Sequence, residues 1–170
     1  MGLLDGELAV TEMNRMIHFN PVLGDAAESL DLKPGYDLIC SNNTLEHIYP
    51  KLMKPILKRF NALVLKGSLM SHFIDLTDHF AHRDSKITIY NFLKFSDAQW
   101  ALIDNDIQPQ NRMRWSEYLS LYQAMGIPCS IEETRAIADP GVNLDFVHEK
   151  YLGFNRADLL ISHGYIVSHY

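Results

Sequence analysis

Cysteine is scarce in this 170-residue chain. Only Cys40 and Cys129 are present, each inside an apolar segment. That weighs against a disulfide framework and predicts two reduced, buried thiols in a cytoplasmic protein. No hydrophobic run approaches the roughly 20 residues of a membrane helix, so a spanning segment is excluded. The first residues, MGLLDGELAVTEMN, have neither a basic start nor an apolar stretch behind it, so they do not read as a secretory signal and are taken as part of the fold. Positive charge is also in short supply: 15 Lys and Arg stand against 21 Asp and Glu, a net charge of -6. The basic residues are scattered except for Arg112 and Arg114, which argues against a nucleic-acid backbone as the main partner. Nine glycines occur and no two are spaced G-x-G, so the phosphate-cradling turn of a dinucleotide fold is missing.

What is there is the composition of a globular protein, 47% hydrophobic and 21% charged. With no repeat, low-complexity tract or Pro/Ser-rich linker, the simplest organisation is one α/β domain over residues 1–170. Met16-Ile17-His18-Phe19 predicts a short strand, and Gly24-Asp25 a turn. Asp37-Leu38-Ile39-Cys40-Ser41, bracketed by Gly35 and Asn42-Asn43, predicts a parallel strand buried on both faces. Leu52, Ile56, Phe60 and Leu63 recur at helical spacing, so a helix covers most of Pro55 to Val64, with Pro55 in its first turn. After Lys66-Gly67-Ser68, a second strand runs from Leu69 to Ile74 and completes a βαβ unit.

Ser96 predicts the cap of a helix through Trp100 to Ile103, and Ser116 that of a helix from Glu117 to Met125, stopped by Gly126. A strand from Ile127 to Thr134 should follow. Asn155 caps a helix from Arg156 to His163, and Gly164 ends it before a strand from Tyr165 to Ser168. The last two strands then pair antiparallel at a sheet edge.

In an open parallel sheet, ligands bind beyond the carboxyl ends of the strands. Both strong strands end in polar clusters, Ser41-Asn42-Asn43-Thr44-Leu45-Glu46-His47 and Asp75-Leu76-Thr77-Asp78-His79-Phe80-Ala81-His82. The blocks GDAAESL, YDLICSNNTLEHI, SHFIDLTDHFAHRDSKITIYNFLKFS and QNRMRWSEY, in that order, resemble a bacterial subgroup of class I S-adenosylmethionine-dependent methyltransferases, similar to type 11 domains. The resemblance runs from about Ile17 to the C-terminus. It implies a partial Rossmann-like sheet, mostly parallel with an antiparallel C-terminal strand, and S-adenosylmethionine as cofactor.

By the same resemblance Asp25 and Ala26 lie beside the cofactor's adenine, and Asn42, Asn43 and Thr44 line the floor near its methionine. The local alternatives are an Asx turn at Asp25 and strand-end capping by the asparagines. His79 and His47 are the candidate catalytic bases, and Glu46 either orients one of them or belongs to a solvated face. Asp75, Asp78, His82, Asn91 and Asn111 are candidate substrate contacts, with Arg112 and Arg114 as a clamp for an anionic group or, alternatively, structural ion pairs. Asp75, Asp78, His79, His82 and Asp84 suit a divalent ion by type, but their spacing matches no zinc pattern, so a hydrogen-bonded network is expected and no metal site. Tyr90, Phe92, Phe95, Trp100 and Trp115 either wall a cavity or fill the core.

The chain departs from the resemblance where the cofactor is held. Only 36 residues precede Asp37, so the expectation is an N-terminally truncated domain, the C-terminal part of a methyltransferase with the glycine-loop half absent. The acidic residue for the ribose hydroxyls also lacks a counterpart, and Leu65-Lys66-Gly67-Ser68 replaces the usual Lys-Pro-Gly-Gly. Two readings follow: methyl transfer to a small-molecule or glycan-type acceptor, or a non-catalytic module that assembles through an exposed sheet edge. A metal-dependent hydrolase is a third. Loss of the first strands leaves the Asp37–Ser41 strand at an apolar edge, which predicts a homodimer or a partner subunit covering it.

Overall fold

The computed structural model describes residues 33–105, 108–136 and 143–170. The chain divides into two units, Met1–Leu30 and Asp31–Tyr170, and only the second is described below. The expected strand Met16–Phe19, the turn at Gly24-Asp25, and the cofactor contacts Asp25 and Ala26 lie outside the described residues.

Strand β1 (Tyr36–Asn42) leads through a 3-10 turn (Leu45–His47) to helix α1 (Pro50–Leu63) and strand β2 (Val64–Asp75). Two more 3-10 turns, His79–His82 and Asn91–Lys94, precede helices α2 (Asp97–Ile103) and α3 (Trp115–Ala124). Strand β3 (Ile131–Ala136), a short helix α4 (Arg156–Leu159) and strand β4 (Ile161–His169) complete the unit. The sheet order is β1-β2-β4-β3, with β1 and β2 parallel and β4 antiparallel to both its neighbours. Three strands therefore run one way and the C-terminal strand runs back between two of them. That is the partial Rossmann-like α/β arrangement expected, including the antiparallel final pair. No helix among the described residues is long and apolar enough to cross a membrane.

Local chemistry accounts for the elements and for where they depart from expectation. Helix α1 begins at Pro50, whose fixed φ and missing N–H suit the first helical position, so Pro55 falls inside the helix and not in its first turn. Its covered stripe is Met53, Ile56, Leu57 and Leu63, while Leu52 faces solvent. Helix α2 starts as expected at Ser96, whose hydroxyl accepts from the Gln99 N–H while the Gln99 carbonyl oxygen accepts from the Ser96 N–H. Helix α3 starts two residues earlier than expected, at Trp115. Its cap is Arg114, whose N–H donates to Glu117 Oε2 at 2.7 Å, while Ser116 bonds Asp158.

Asn155 does cap α4, accepting from the Ala157 N–H, but that helix is only four residues long. Gly164 does not end it: Gly164 lies within β4, under the Trp115 ring. The predicted Ile127 strand likewise begins only at Ile131.

Among the described residues, one face of the sheet is covered. Ser68, Met70, His72 and Ile74 of β2 and Ser162, Gly164, Ile166 and Ser168 of β4 are buried, alternating with more exposed neighbours. Against that face pack Leu45, Met53 and Leu57 from the α1 side and Trp115, Tyr118 and Tyr122 from α3. A second cluster, Tyr90, Phe92, Leu93, Trp100, Tyr151 and Leu159, lies beyond the strand ends, so these aromatics are core. The opposite sheet face carries Leu38, Leu69, Phe73 and Tyr165 in register, and Leu38 is 56% exposed. This corrects the expectation of a β1 strand buried on both faces. Cys40 shares that face, and both cysteines are free but exposed, not buried.

His72 sits at the centre of the covered face, its Nδ1 2.6 Å from the Ser41 hydroxyl and its ring stacked on Phe60. Burial pushes its pKa down from 6.5 to about 4, with no charged group contributing. Below pH 6.5 the unfolded chain takes up a proton that the folded chain refuses. Stability is therefore full above that pH and falls between pH 6.5 and about 4, by up to about 3 kcal/mol. In urea melts across this range, His72→Gln should show a flatter pH dependence than the wild type; parallel profiles would rule out this assignment.

Candidate active site beyond the strand ends

The carboxyl ends of β1 and β2 lie side by side because the strands are parallel and paired from Leu38–Leu69 to Asn42–Phe73. The chain leaves β1 through Asn43, in a left-handed conformation (φ 47°) that asparagine tolerates, with its N–H donating to the Phe73 carbonyl. Asn42, Asn43 and Thr44 are exposed there, and Thr44 Oγ1 donates to the Asn42 carbonyl at 3.0 Å, the local capping anticipated as an alternative role. The 3-10 turn that follows carries Glu46 and His47 over the end of β2.

Glu46 is 2% exposed, and neither of its carboxylate oxygens has a hydrogen-bond partner. It is not part of a solvated face. Burial, helped by the Asp75 charge, outweighs the opposing pull of the nearby Glu46 and Asp75 main-chain N–H groups, neither of which completes a hydrogen bond to the carboxylate, and pushes its carboxyl up to about 7. His47 Nδ1 stands 2.8 Å from the Pro109 carbonyl, and the His47 and His79 rings meet edge to face at 4.9 Å. His79 Nε2 is 3.4 Å from Asp75 Oδ2. The carboxylate holds the imidazole pKa above its ordinary value against the opposing effect of burial. Burial alone would raise Asp75, but hydrogen bonds from His79 and from the N–H and hydroxyl of Thr77 outweigh it and hold the carboxyl at about 2. His82 stacks on His79 at 5.3 Å and lies 3.3 Å from Thr77 Oγ1.

Three residues that the sequence reading did not single out complete the site. His163 reaches Asp75 Oδ1 at 3.5 Å, because β2 and β4 pair Asp75 with His163. Gln110 clamps the β2 end: its carbonyl oxygen accepts from the His79 N–H at 3.3 Å, and its amide donates to the Thr77 carbonyl. Tyr118 donates to Asn111 Oδ1 from the helix behind. Asn111 holds the other segment, its side-chain amide donating to the Leu45 and Ile48 carbonyls at 2.8 and 2.9 Å and its N–H to the Glu46 carbonyl. Adjacent residues thus fix both polar segments.

Asp78 is spent locally, accepting from the Phe80 N–H and the Asn91 amide, so neither Asp78 nor Asn91 opens onto a ligand. The anion clamp is also corrected. Arg114 is fully buried and donates to the Leu76, Leu159 and Ile161 carbonyls. Arg112 donates to the Phe92 and Phe95 carbonyls and pairs with Asp97 at 2.5 Å. Both guanidiniums brace main-chain carbonyls instead of waiting for an anion. Arg112 still flanks a cavity of about 490 Å³ walled also by Tyr49, Trp100, Gln110, Asn111 and Lys150. A smaller hollow of about 170 Å³, sharing Trp100 and Gln110, reaches His79 and His82. Asp75, Asp78, His79, His82 and Asp84 do not together supply a metal-type grouping; among the described residues that grouping is Glu46, His47 and His79, and only His79 is shared.

No protein-family model and no curated protein matches the chain. Among solved structures it is similar to an S-adenosylmethionine-dependent methyltransferase from Archaeoglobus fulgidus, at 14% identity and TM-score 0.51, covering 89% of this chain and 68% of that one. A phosphoethanolamine N-methyltransferase 2 from Haemonchus contortus, in complex with S-adenosyl-L-methionine, matches at 12% identity and TM-score 0.49 over 84% of this chain and 35% of that one. Structures from Nostoc punctiforme and Bordetella parapertussis are spanned over 36% and 42% of their length. The fold is that of a class I S-adenosylmethionine-dependent methyltransferase.

Proposed function

We propose that a chain with this fold supplies the acceptor side of a methyl-transfer site, acting on a small-molecule or glycan-type acceptor with S-adenosylmethionine as donor. The observation that carries this reading is the convergence of Glu46, His47, Asp75 and His79 at the carboxyl ends of β1 and β2, where folds of this kind bind ligands. Asn42, Asn43 and Thr44 are the chain's candidates for the cofactor's methionine end.

Methyl transfer demands an acceptor atom in line with the sulfonium methyl, and positioning supplies most of the acceleration. An acceptor hydroxyl must also lose its proton, and His79 is the group suited to take it. Asp75 orients that ring, and His82 and His47 flank it. The smaller hollow, with Phe80 and Trp100 on its wall beside His79 and His82, gives the acceptor a partly apolar seat against that base.

A second reading rests on a different observation. The open sheet face presents Leu38, Leu69, Phe73 and Tyr165 together, an apolar surface of the kind that a second copy or a partner subunit covers. In that reading the chain is a methyltransferase-like assembly module. Calorimetric titration with S-adenosylhomocysteine separates the two. The enzyme reading predicts saturable heat from the folded chain. No heat at millimolar ligand, with circular dichroism confirming the fold and light scattering showing a dimer, would leave the assembly module standing alone.

A further inference from the structure

We propose that Glu46, His47 and His79 form a binding site for a first-row divalent transition-metal ion, with Zn²⁺ as the representative case. One ligand atom from each side chain lies within 4.8 Å of the other two. A tetrahedral ion with bonds of about 2.1 Å places its ligands about 3.4 Å apart, so small side-chain rotations close the gap. One carboxylate and two imidazoles form the donor set of catalytic zinc and non-haem iron sites, and imidazole selects against Mg²⁺ and Ca²⁺.

Two independent features point to a ligand there. The Glu46 carboxylate is almost fully buried with both oxygens unpartnered, although a buried polar group is nearly always satisfied. The outer shell is also in place. His47 Nδ1 faces the Pro109 carbonyl at 2.8 Å, which makes it the protonated nitrogen and leaves Nε2 with its lone pair. Asp75 stands 3.4 Å from His79 Nε2, the carboxylate that fixes a ligating imidazole. Asn111 and Gln110 anchor the two segments that bear the ligands, so the site is preformed. Three protein ligands leave an ion with an open position. An acceptor hydroxyl bound there would be made more acidic by the ion and would give its proton to solvent, replacing His79 as the base.

The inference is independent of cofactor binding, and its test needs no turnover. Cobalt(II) titrated into the metal-free chain should give visible d–d absorption saturating at one equivalent, and Zn²⁺ should displace it. Glu46→Gln and His79→Ala should each weaken binding by about 100-fold or more, while His169→Ala, an exposed histidine on β4, should not. If a variant folds poorly, the thermal shift serves instead: Zn²⁺ should raise the wild-type Tm and leave that of Glu46→Gln unmoved. No band at millimolar cobalt, or binding unchanged by Glu46→Gln, overturns the proposal. Failure of the S-adenosylhomocysteine titration would not.

Discussion

Replacing Arg114 with Met is expected to lower the unfolding free energy by about 4 kcal/mol or more, enough to bring many domains close to their folding threshold. Arg114 is fully buried, and its guanidinium ties three chain segments together through the Leu76, Leu159 and Ile161 carbonyls, at 3.0, 3.1 and 2.7 Å. Its charge faces those dipoles and the Phe92 ring, 5.8 Å from the guanidinium carbon. Met fills most of the volume but donates nothing, so three carbonyls lose their partner at roughly 1–3 kcal/mol each. Urea melts of wild type and Arg114→Met measure the difference directly. A loss below about 1 kcal/mol would mean that water replaces the guanidinium and that Arg114 is not a central brace. Arg114→Lys should recover part of the loss, because one ammonium cannot span all three acceptors.

Gly164→Ala should cost about 3 kcal/mol, far more than a methyl group normally does. A Cβ at Gly164 would sit 2.3 Å from Trp115 Cζ3 and 2.5 Å from Cη2, well inside van der Waals contact. The indole cannot simply step aside: Trp115 is 2% exposed, and its Nε1–H donates to Glu132 Oε1 at 2.5 Å. Either the ring leaves its pocket or β4 moves off α3, and overpacking of this kind costs 1–3 kcal/mol or more. The check is a double-mutant cycle. Gly164→Ala in a Trp115→Leu background should be much milder, and equal losses in both backgrounds would place the strain elsewhere.

Gly164 also shows where the sequence misleads. Asn155, the acid at Asp158 and a glycine six residues further on read as a complete helix with cap and stop. The helix ends at Leu159 because β4 claims Ile161 onward for the sheet. Pairing with β2 and β3 and the burial of Ile166 outweigh the local helical signal. The glycine is there for the Trp115 ring, and nothing within a few residues of it encodes that contact.

The site divides in the same way. Strand ends rich in His, Asp and Asn were legible because a buried apolar strand followed by a polar cluster has few other meanings in an α/β chain. The pairing of Asp75 with His79 was also within reach, since the two are close along the chain. His163, Gln110 and the burial of Glu46 were not, because they depend on which strand pairs with which and on a loop returning from residues 108–111. The arginines were misread for a related reason: a pair of cations beside Asn111 looks available until the carbonyls they meet, 16 to 47 residues away in sequence, are known.

By itself, then, the sequence determined the alternation of elements, the βαβ unit from Tyr36 to Asp75 and the place beyond its strand ends where polar groups gather. Those follow from hydrophobic period and turn chemistry, which are local. Tertiary structure alone decided that Glu46 is buried and unpartnered beside two imidazoles, that Arg112 and Arg114 are braces, and that one face of the sheet presents Leu38, Leu69 and Tyr165 uncovered by the other described residues. Burial and partnership are properties of surfaces brought together from distant parts of the chain, and no window of neighbouring residues contains them.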